Sequence, residues 1–199
     1  GRGATSSGKS SLTIKETWRL DRVEHNREPG FETRVREAIA LGSDYVKAQL
    51  SAGGNLGRGV SPTGVDTDTG TLALCLLTLL KAGVDRRDDL VSKGFTELRA
   101  RKLTDTYTLA VALMAMEALH APTGEREMLI EGRIKEPLDR EVPPKDFALM
   151  QEWAAQLLKN YDVSQQRAYM LRFTYLSDVP RYDNSNTQYA LLGLYAAQL

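Results

Sequence analysis

The first residues whose types and spacing could do chemistry form a phosphate-binding pattern near the start of the chain. Gly3-Ala-Thr-Ser-Ser-Gly8-Lys9-Ser10 matches Gly-x-x-x-x-Gly-Lys-Ser at every fixed position. This pattern wraps backbone N–H groups around phosphates where a buried strand is followed by an apolar helix. Here the loop has almost no chain before it and a polar stretch after it. We therefore expect it to bind no nucleotide and to belong to a polar N-terminal arm, residues 1–31.

A second possibility is thiolate or metal chemistry at Cys75, the only cysteine of the chain. A zinc-activated thiolate would need an Asp-x-Cys pair and a distant histidine. Ala73 stands two places before Cys75, whereas His25 lies in the arm and His120 at the end of a predicted helix. We predict no metal site and no cofactor, with Cys75 as a small buried hydrophobic residue.

Composition excludes several classes of protein. The 199 residues contain 26 Lys+Arg and 26 Asp+Glu, for a formal net charge of +0. Nucleic-acid binding normally needs a basic surface, so it is disfavoured. No apolar run approaches the ~20 residues that span a bilayer, and no signal peptide is visible. We expect a soluble domain of unknown compartment whose two ends look cut from a longer protein.

The elements that must position any site are helices. One-sided apolar patterns, which predict amphipathic helices, alternate along the chain with segments that are apolar on every side. The one-sided helices contain Val46, Phe95 and Trp153, and the all-round apolar segments are Thr71 to Lys81, Thr108 to Leu119 and Thr187 to Leu199. This alternation predicts an all-α, two-layer array of helical hairpins, with the apolar helices inside and the amphipathic ones shielding them. A charged insertion, residues 122–144, interrupts it.

The starts of the apolar helices repeat. Asp68-Thr-Gly-Thr71-Leu-Ala and Asp105-Thr-Tyr-Thr108-Leu-Ala share four residue types at equal spacing, 37 residues apart. Asn184-Ser-Asn-Thr187 keeps the threonine in a third copy. A period of this length is typical of helical repeats. Three hairpins are about half of a closed ring of six.

Two segments resemble a known family. Gln49-Leu-Ser-Ala-Gly53-Gly-Asn55 is similar to the Gln-x-x-x-Gly-x-Trp repeat of squalene and hopene cyclases. The segment from Asp183 through Ala197 resembles the inner-helix consensus of bacterial proteins with prenyltransferase and squalene-oxidase repeats. The resemblance covers roughly Arg34 to Leu199. It implies an α/α toroid, about half a ring in residues 32–199, and its catalytic members bind isoprenoids where the inner helices begin.

The catalytic acid of such cyclases is not matched. Asp66-Thr-Asp68-Thr69 resembles their Asp-x-Asp-Asp motif but lacks its third aspartate. An alignment on Thr71 instead leaves no acid at all. Since Asp and Thr side chains also satisfy free N–H groups at helix starts, helix capping is the favoured interpretation here. Capping is also the alternative to ligand binding for Asp68 and Asp105. No residue is therefore assigned a catalytic role.

The sequence supports two hypotheses. The first is a helical-repeat module that binds a ligand or a protein, such as a second half of the toroid, and that has lost the catalytic groups of its relatives. The alternative is an isoprenoid-processing enzyme, similar to squalene or hopene cyclases, whose acid lies outside this chain. Either would place a small apolar or isoprenoid ligand at the inner-helix starts, with Tyr107 and Tyr189 as cavity aromatics. The candidate ligand-binding residues are Asp68, Thr71, Asp105, Tyr107, Asp183, Asn186 and Gln188.

Overall fold

The computed structural model describes residues 30–51, 67–161, 172–176 and 184–198, without the side chains of Thr67, Asp68 and Arg126. Helices account for most of these ranges. They are α1 Phe31–Ser51, α2 Thr67–Lys81, α3 Asp89–Ala100, α4 Thr106–His120, α5 Glu125–Ile130, α6 Pro144–Lys159 and α7 Asn184–Ala196. An isolated bridge between Tyr161 and Phe173 is the β-contact found in the described chain. The all-α prediction is confirmed. Residues 1–10, with the phosphate-binding pattern, lie outside the described ranges.

Helix α4 is the centre of the core. It is apolar on every side, so it must be covered all round. It packs against α2 on one side, α7 on another and α6 across a third. Leu109, Val111, Leu113 and Met116 are fully buried as a result. The prediction that residues 108–119 are surrounded by protein is confirmed.

Helices α2 and α7 lie at the two ends of the row that α4 joins. Both were predicted to be enclosed, and this is wrong in part. In α2, Leu76 and Leu79 are buried but Leu74 is 38% exposed. In α7, Ala190 is buried, whereas Leu191 and Leu192 are nearly half exposed. The physical reason is position, because α4 has inner neighbours on both sides and the described chain gives α2 and α7 one each.

Close contacts between small residues fix how the three helices run. A Cβ on Gly70 would lie 2.8 Å from Thr108 Oγ1, and one on Gly193 would lie 2.6 Å from Ala110 Cα. The rings of Tyr107 and Tyr189 also touch. Gly70 and Thr108 both lie near the starts of their helices, and Tyr107 precedes Ala110 along α4 as Tyr189 precedes Gly193 along α7, so the helices run in the same direction. Helices α2, α4 and α7 all begin at the same end of the row.

The amphipathic helices pack on this row through one face each. Helix α3 buries Val91, Phe95 and Leu98, and α6 buries Met150, Trp153 and Leu157. Helix α1, predicted to be amphipathic, buries only part of its apolar stripe, which includes Val35, Ile39, Val46 and Leu50. Val46 and Leu50 pack against the core, but the stripe's earlier members Val35 and Ile39 are about 40% exposed. The second half of α1 is the half that shields α2 and α3.

Two ion-pair clusters fasten the outer elements to the core. Arg99 of α3 donates two hydrogen bonds of 2.8 Å to Asp146 of α6, and His120 Nε2 lies 2.9 Å from the same carboxylate. The Arg99 guanidinium lowers the pKa of Asp146 below its ordinary value, and His120 adds to the effect. This stabilisation is present at neutral pH and is lost as the pH falls through the folded-state pKa. Arg140 pairs in the same way with Glu117 and Glu125, which fastens the charged insertion to α4.

A glycine-to-alanine exchange tests the close approach of α7 to α4. We expect Gly193→Ala to lower the free energy of unfolding by about 1–3 kcal/mol, since its Cβ would overlap backbone that cannot move independently. Urea denaturation measures the change. Gly42→Ala is the matched control, because Gly42 lies in helix α1 with nothing within 4 Å of a built Cβ. That control should gain roughly 0.5–1 kcal/mol from helix propensity. Equal effects of the two exchanges would contradict the packing described above.

Candidate functional site

The starts of α2, α4 and α7 form one edge of the helix row, which we call the rim. It comprises Thr69 to Thr71, Asp105 to Thr108 and Asn186 to Tyr189. Because all three helices begin here, the positive ends of their dipoles point to the same side. The rim is thus the place where most of the predicted ligand-binding residues are found.

Asp105 is the N-cap of α4. The backbone N–H of Thr108 donates to its Oδ1 at 2.8 Å, and Asp105 itself has extended backbone angles. The residue is 4% exposed, so the carboxylate is turned into the protein and towards the helix start. The capping interpretation of Asp105 is confirmed. A role in ligand binding stays a prediction.

Tyr107 and Tyr189 meet at the rim. Their ring centroids are 4.7 Å apart with an interplanar angle of 68°, an edge-to-face arrangement favoured by aromatic quadrupoles. The pKa of Tyr107 is raised, mainly because the side chain is partly buried and to a smaller extent because Tyr189 lies beside it. The hydroxyl is therefore protonated at neutral pH. The sequence pointed to both tyrosines as cavity aromatics, and the structure brings them together as one pair.

The remaining predicted site residues are distributed along the rim. Thr71 is half-buried in the first turns of α2, Asn186 is buried and Gln188 is exposed. The side chain of Asp68 and the whole of Asp183 lie outside the described residues. The rim therefore contains a capping carboxylate, a tyrosine pair and an exposed amide, which suits weak hydrogen bonding to a largely apolar ligand.

A charged residue at the rim was missed by the sequence analysis. Arg101 follows α3, and its Nη1 donates to Thr69 Oγ1 at 2.9 Å. An ion pair also connects Arg101 to Glu97, one turn earlier. In the sequence, Arg101 lies in a basic run at a helix end, a pattern typical of solvated residues, so nothing indicated that it contacts the rim.

A buried polar cluster supports the rim from below. Asn160 is fully buried, and its Nδ2 donates to the Thr104 carbonyl at 2.9 Å and to Thr106 Oγ1 at 3.1 Å. The backbone carbonyl oxygen of Asn160 accepts hydrogen bonds from Thr174 N and Oγ1, at 2.9 and 3.0 Å. Burial of a side-chain amide is costly unless it is hydrogen-bonded. Here the Nδ2 group is satisfied, whereas Oδ1 has no hydrogen-bond partner among the described residues. Asn160 thereby joins the end of α6, the start of α4 and residues 172–176.

Cys75 has the surroundings of a core residue. It is buried in α2, and burial raises the pKa of its thiol above the ordinary value. A protonated, enclosed thiol is a poor nucleophile and a poor metal ligand. Within the described part of the chain, no three His, Cys, Asp or Glu side chains are grouped to hold a metal ion. In the same ranges, no helix combines the length and apolarity that a bilayer span requires.

A second candidate surface lies at the α7 end of the row. We call it the terminal face, and it consists of Phe147, Gln151, Ala155 and Leu158 of α6 with Leu191, Leu192 and Tyr195 of α7. The sequence placed its apolar members in the core, yet Phe147 is 41%, Leu158 55% and Tyr195 69% exposed. A groove of about 300 Å³ runs between α6 and Ala197, at the end of α7. Exposed large apolar residues on neighbouring helices are typical of interaction surfaces.

Comparisons of the chain with protein-family models, with curated proteins and with solved structures found no match. The geometry of the rim and of the terminal face must therefore carry any statement about function.

The rim's carboxylate can be tested for its capping role. We expect Asp105→Ala to lower the free energy of unfolding by about 1 kcal/mol, because α4 loses its N-cap acceptor. Asp105→Asn, which keeps an acceptor oxygen, should retain most of that stability. Urea denaturation of both variants gives the comparison. If the alanine variant is as stable as the wild type, the cap contributes nothing and the carboxylate is held for another purpose.

Proposed function

We propose that this chain is a toroid-type helical-repeat domain that acts as a protein-interaction module, with the terminal face as its binding surface. The observation that carries the proposal is the exposure of large apolar side chains on both helices at one end of the row. Leu191 and Leu192 are 47% and 46% exposed, next to the still more exposed Tyr195. Exposed large apolar side chains add nothing to the stability of the core, but they are the residues that a protein interface buries.

The partner we propose is a second helical array. Within the chain, α4 buries one side against α2 and another against α7, and each contact joins helices that run in the same direction. The exposed stripe of α7, from Gln188 through Leu191 to Tyr195, faces away from its buried stripe of Ala190 and Gly193. A further helix pair could continue the row there, with its inner helix on α7 and its outer helix on α6. This is the arrangement that a toroid needs in order to grow towards a ring.

A second copy of the chain is the array that can be tested directly. The residues of the terminal face carry no charge. Two such faces that pack against each other therefore suffer no like-charge repulsion. The formal net charge of +0 removes long-range repulsion between copies as well.

Self-association tests the proposal. Sedimentation velocity over a series of protein concentrations should show the wild type associating, because the terminal faces bury one another. The double variant Leu191→Asp/Tyr195→Asp should weaken this association by at least about tenfold, since charges would be placed at the centre of the interface. Circular dichroism should show an unchanged helix content, as both side chains are exposed.

The matched control is Leu41→Asp/Tyr45→Asp. It changes the same two residue types at the same spacing on α1, where Leu41 is 71% and Tyr45 62% exposed. This variant should associate like the wild type. A wild type that stays monomeric throughout, or equal effects of the two double variants, would contradict the proposal.

A second candidate function is supported by the tyrosine pair at the rim. Two aromatic rings beside an exposed amide could hold a small apolar ligand such as an isoprenoid chain, and cation–π attraction would add to this for a cationic one. An isoprenoid-processing enzyme would use such a site with a catalytic acid supplied from outside this chain. A binding role without catalysis needs the rim alone.

Ligand titration separates this candidate from the terminal face. Neutral polyprenyl chains and isoprenoid diphosphates, followed by intrinsic fluorescence, should bind the wild type and bind Tyr107→Ala about tenfold more weakly, because half of the ring pair is lost. Gln188→Ala should weaken the diphosphates more than the neutral chains, since its amide donates to charged oxygens. Ligands that bind both variants like the wild type would exclude the rim.

A further inference from the structure

A large cleft lies between α1 and α5, away from the rim and the terminal face. It has a volume of about 740 Å³, and Ala82 lines it from the end of α2. One wall is the first half of α1, the half that does not pack on the core. The other wall is α5, within the charged insertion.

The apolar residues of this cleft have the spacing of a helix-binding groove. Phe31, Val35 and Ile39 recur every four residues along α1, which makes a stripe roughly 12 Å long at 1.5 Å per residue. Ile130 of α5 faces the same cleft and is 62% exposed. A row at this spacing matches the ridges of a second helix laid beside it. The half-exposed walls leave the cleft open along its length, which suits a helix better than an enclosed small molecule.

The charged residues around the stripe are mainly acidic. Glu32 on α1 and Glu127 and Glu131 on α5 line the cleft, against a single basic residue, Arg36. Glu131 is also paired with Arg133 at 2.6 Å, but both side chains are 57% exposed. Exposed pairs contribute little stability, so Glu131 can exchange partners at small cost. The cleft therefore complements a positively charged partner.

The acidic wall is held in place by the buried ion-pair cluster of the insertion. Arg140 is 5% exposed and donates to Glu125 Oε1 at 2.5 Å and to Glu125 Oε2 at 2.9 Å. The backbone N–H of Leu138 donates to Glu125 Oε1 at 2.7 Å. Since Glu125 begins α5, these bonds fix the helix that carries Glu127, Ile130 and Glu131. The cleft is thus formed before a partner arrives, which lowers the entropic cost of binding.

From this geometry we infer that the α1/α5 cleft binds a basic amphipathic helix of a partner protein. Apolar side chains on one face of that helix pack against Phe31, Val35 and Ile39. Lysine or arginine side chains on its flank pair with Glu127 and Glu131. The acidic residues make the cleft select a basic helix over an acidic one, because an acidic helix with the same apolar face would be repelled.

Synthetic peptides test the inference on the full chain. The probe is a fluorescently labelled amphipathic peptide with leucines at alternate third and fourth positions and lysines beside them; the comparison peptide carries glutamates in place of the lysines. Fluorescence anisotropy should show the lysine peptide binding at least about tenfold more tightly than the glutamate peptide. Its binding should weaken as salt is added, since exposed charges are screened.

Charge reversal at the cleft gives the decisive comparison. Glu127→Lys/Glu131→Lys should weaken the lysine peptide about tenfold or more and strengthen the glutamate peptide. Glu141→Lys/Glu152→Lys makes the same change in net charge with two exposed residues that do not line the cleft, and it should leave both peptides unaffected. Val35→Asp should weaken both peptides, because both need the apolar stripe.

The cleft and the terminal face can be tested independently of each other. Leu191→Asp/Tyr195→Asp alters the terminal face alone and should bind the lysine peptide like the wild type. Equal loss of binding in the two charge-reversed variants would overturn the inference, since attraction would then depend on net charge alone. So would equal binding of the two peptides, or a wild type that binds neither.

Discussion

The contact between α4 and its two inner neighbours is the constraint on which the rest of the structure depends. Helices that run side by side in the same direction gain no help from their dipoles, so packing has to hold them together. Gly70 and Gly193 allow α2 and α7 to come against α4 closely enough for this. Ala110 then lies directly against the backbone of α7, and the three helix starts are brought to one edge.

Polar groups fix the axial position and the rotation of the helices. An apolar surface fixes neither the axial position nor the rotation of a helix, because the hydrophobic effect has no direction. Hydrogen bonds and buried ion pairs do have direction. Asp146 holds α3 and α6 at the end of α4, while Arg140 holds the insertion. Asn160 does the same at the opposite end, next to the rim.

The same architecture explains why apolar side chains remain exposed. In a row of helices, each inner member has two sides that need a neighbour, and the members at the ends lack one of them. Leu192 and Tyr195 of α7 are accordingly open. The first half of α1 extends beyond the helices it shields, so Val35 and Ile39 become one wall of a cleft. Within the described residues, the exposed apolar faces thus follow from the position of each helix in the row, and the two faces differ in charge.

The sequence by itself determined the helical class, the buried character of α4 and the cap at Asp105. These are local properties, because periodicity and capping depend on residues within a few positions of one another. The sequence also placed Tyr107 and Tyr189 at the same edge of the structure, since their positions in the repeat put both near helix starts. Gly83, two residues after the end of α2, is a further local signal, because it has the positive φ of 90° with which helices often end.

Only the tertiary structure decided which apolar residues are covered. An all-round apolar helix has the same pattern whether it lies in the middle of a row or at its end, so the sequence could not separate α4 from α7. It could not foresee the α1/α5 cleft, because Glu127 and Val35 lie on elements far apart in the chain. The ion pair of Arg99 with Asp146, 47 residues apart, was equally hidden. Burial and charge pairing depend on what packs against a residue, and only the fold determines that.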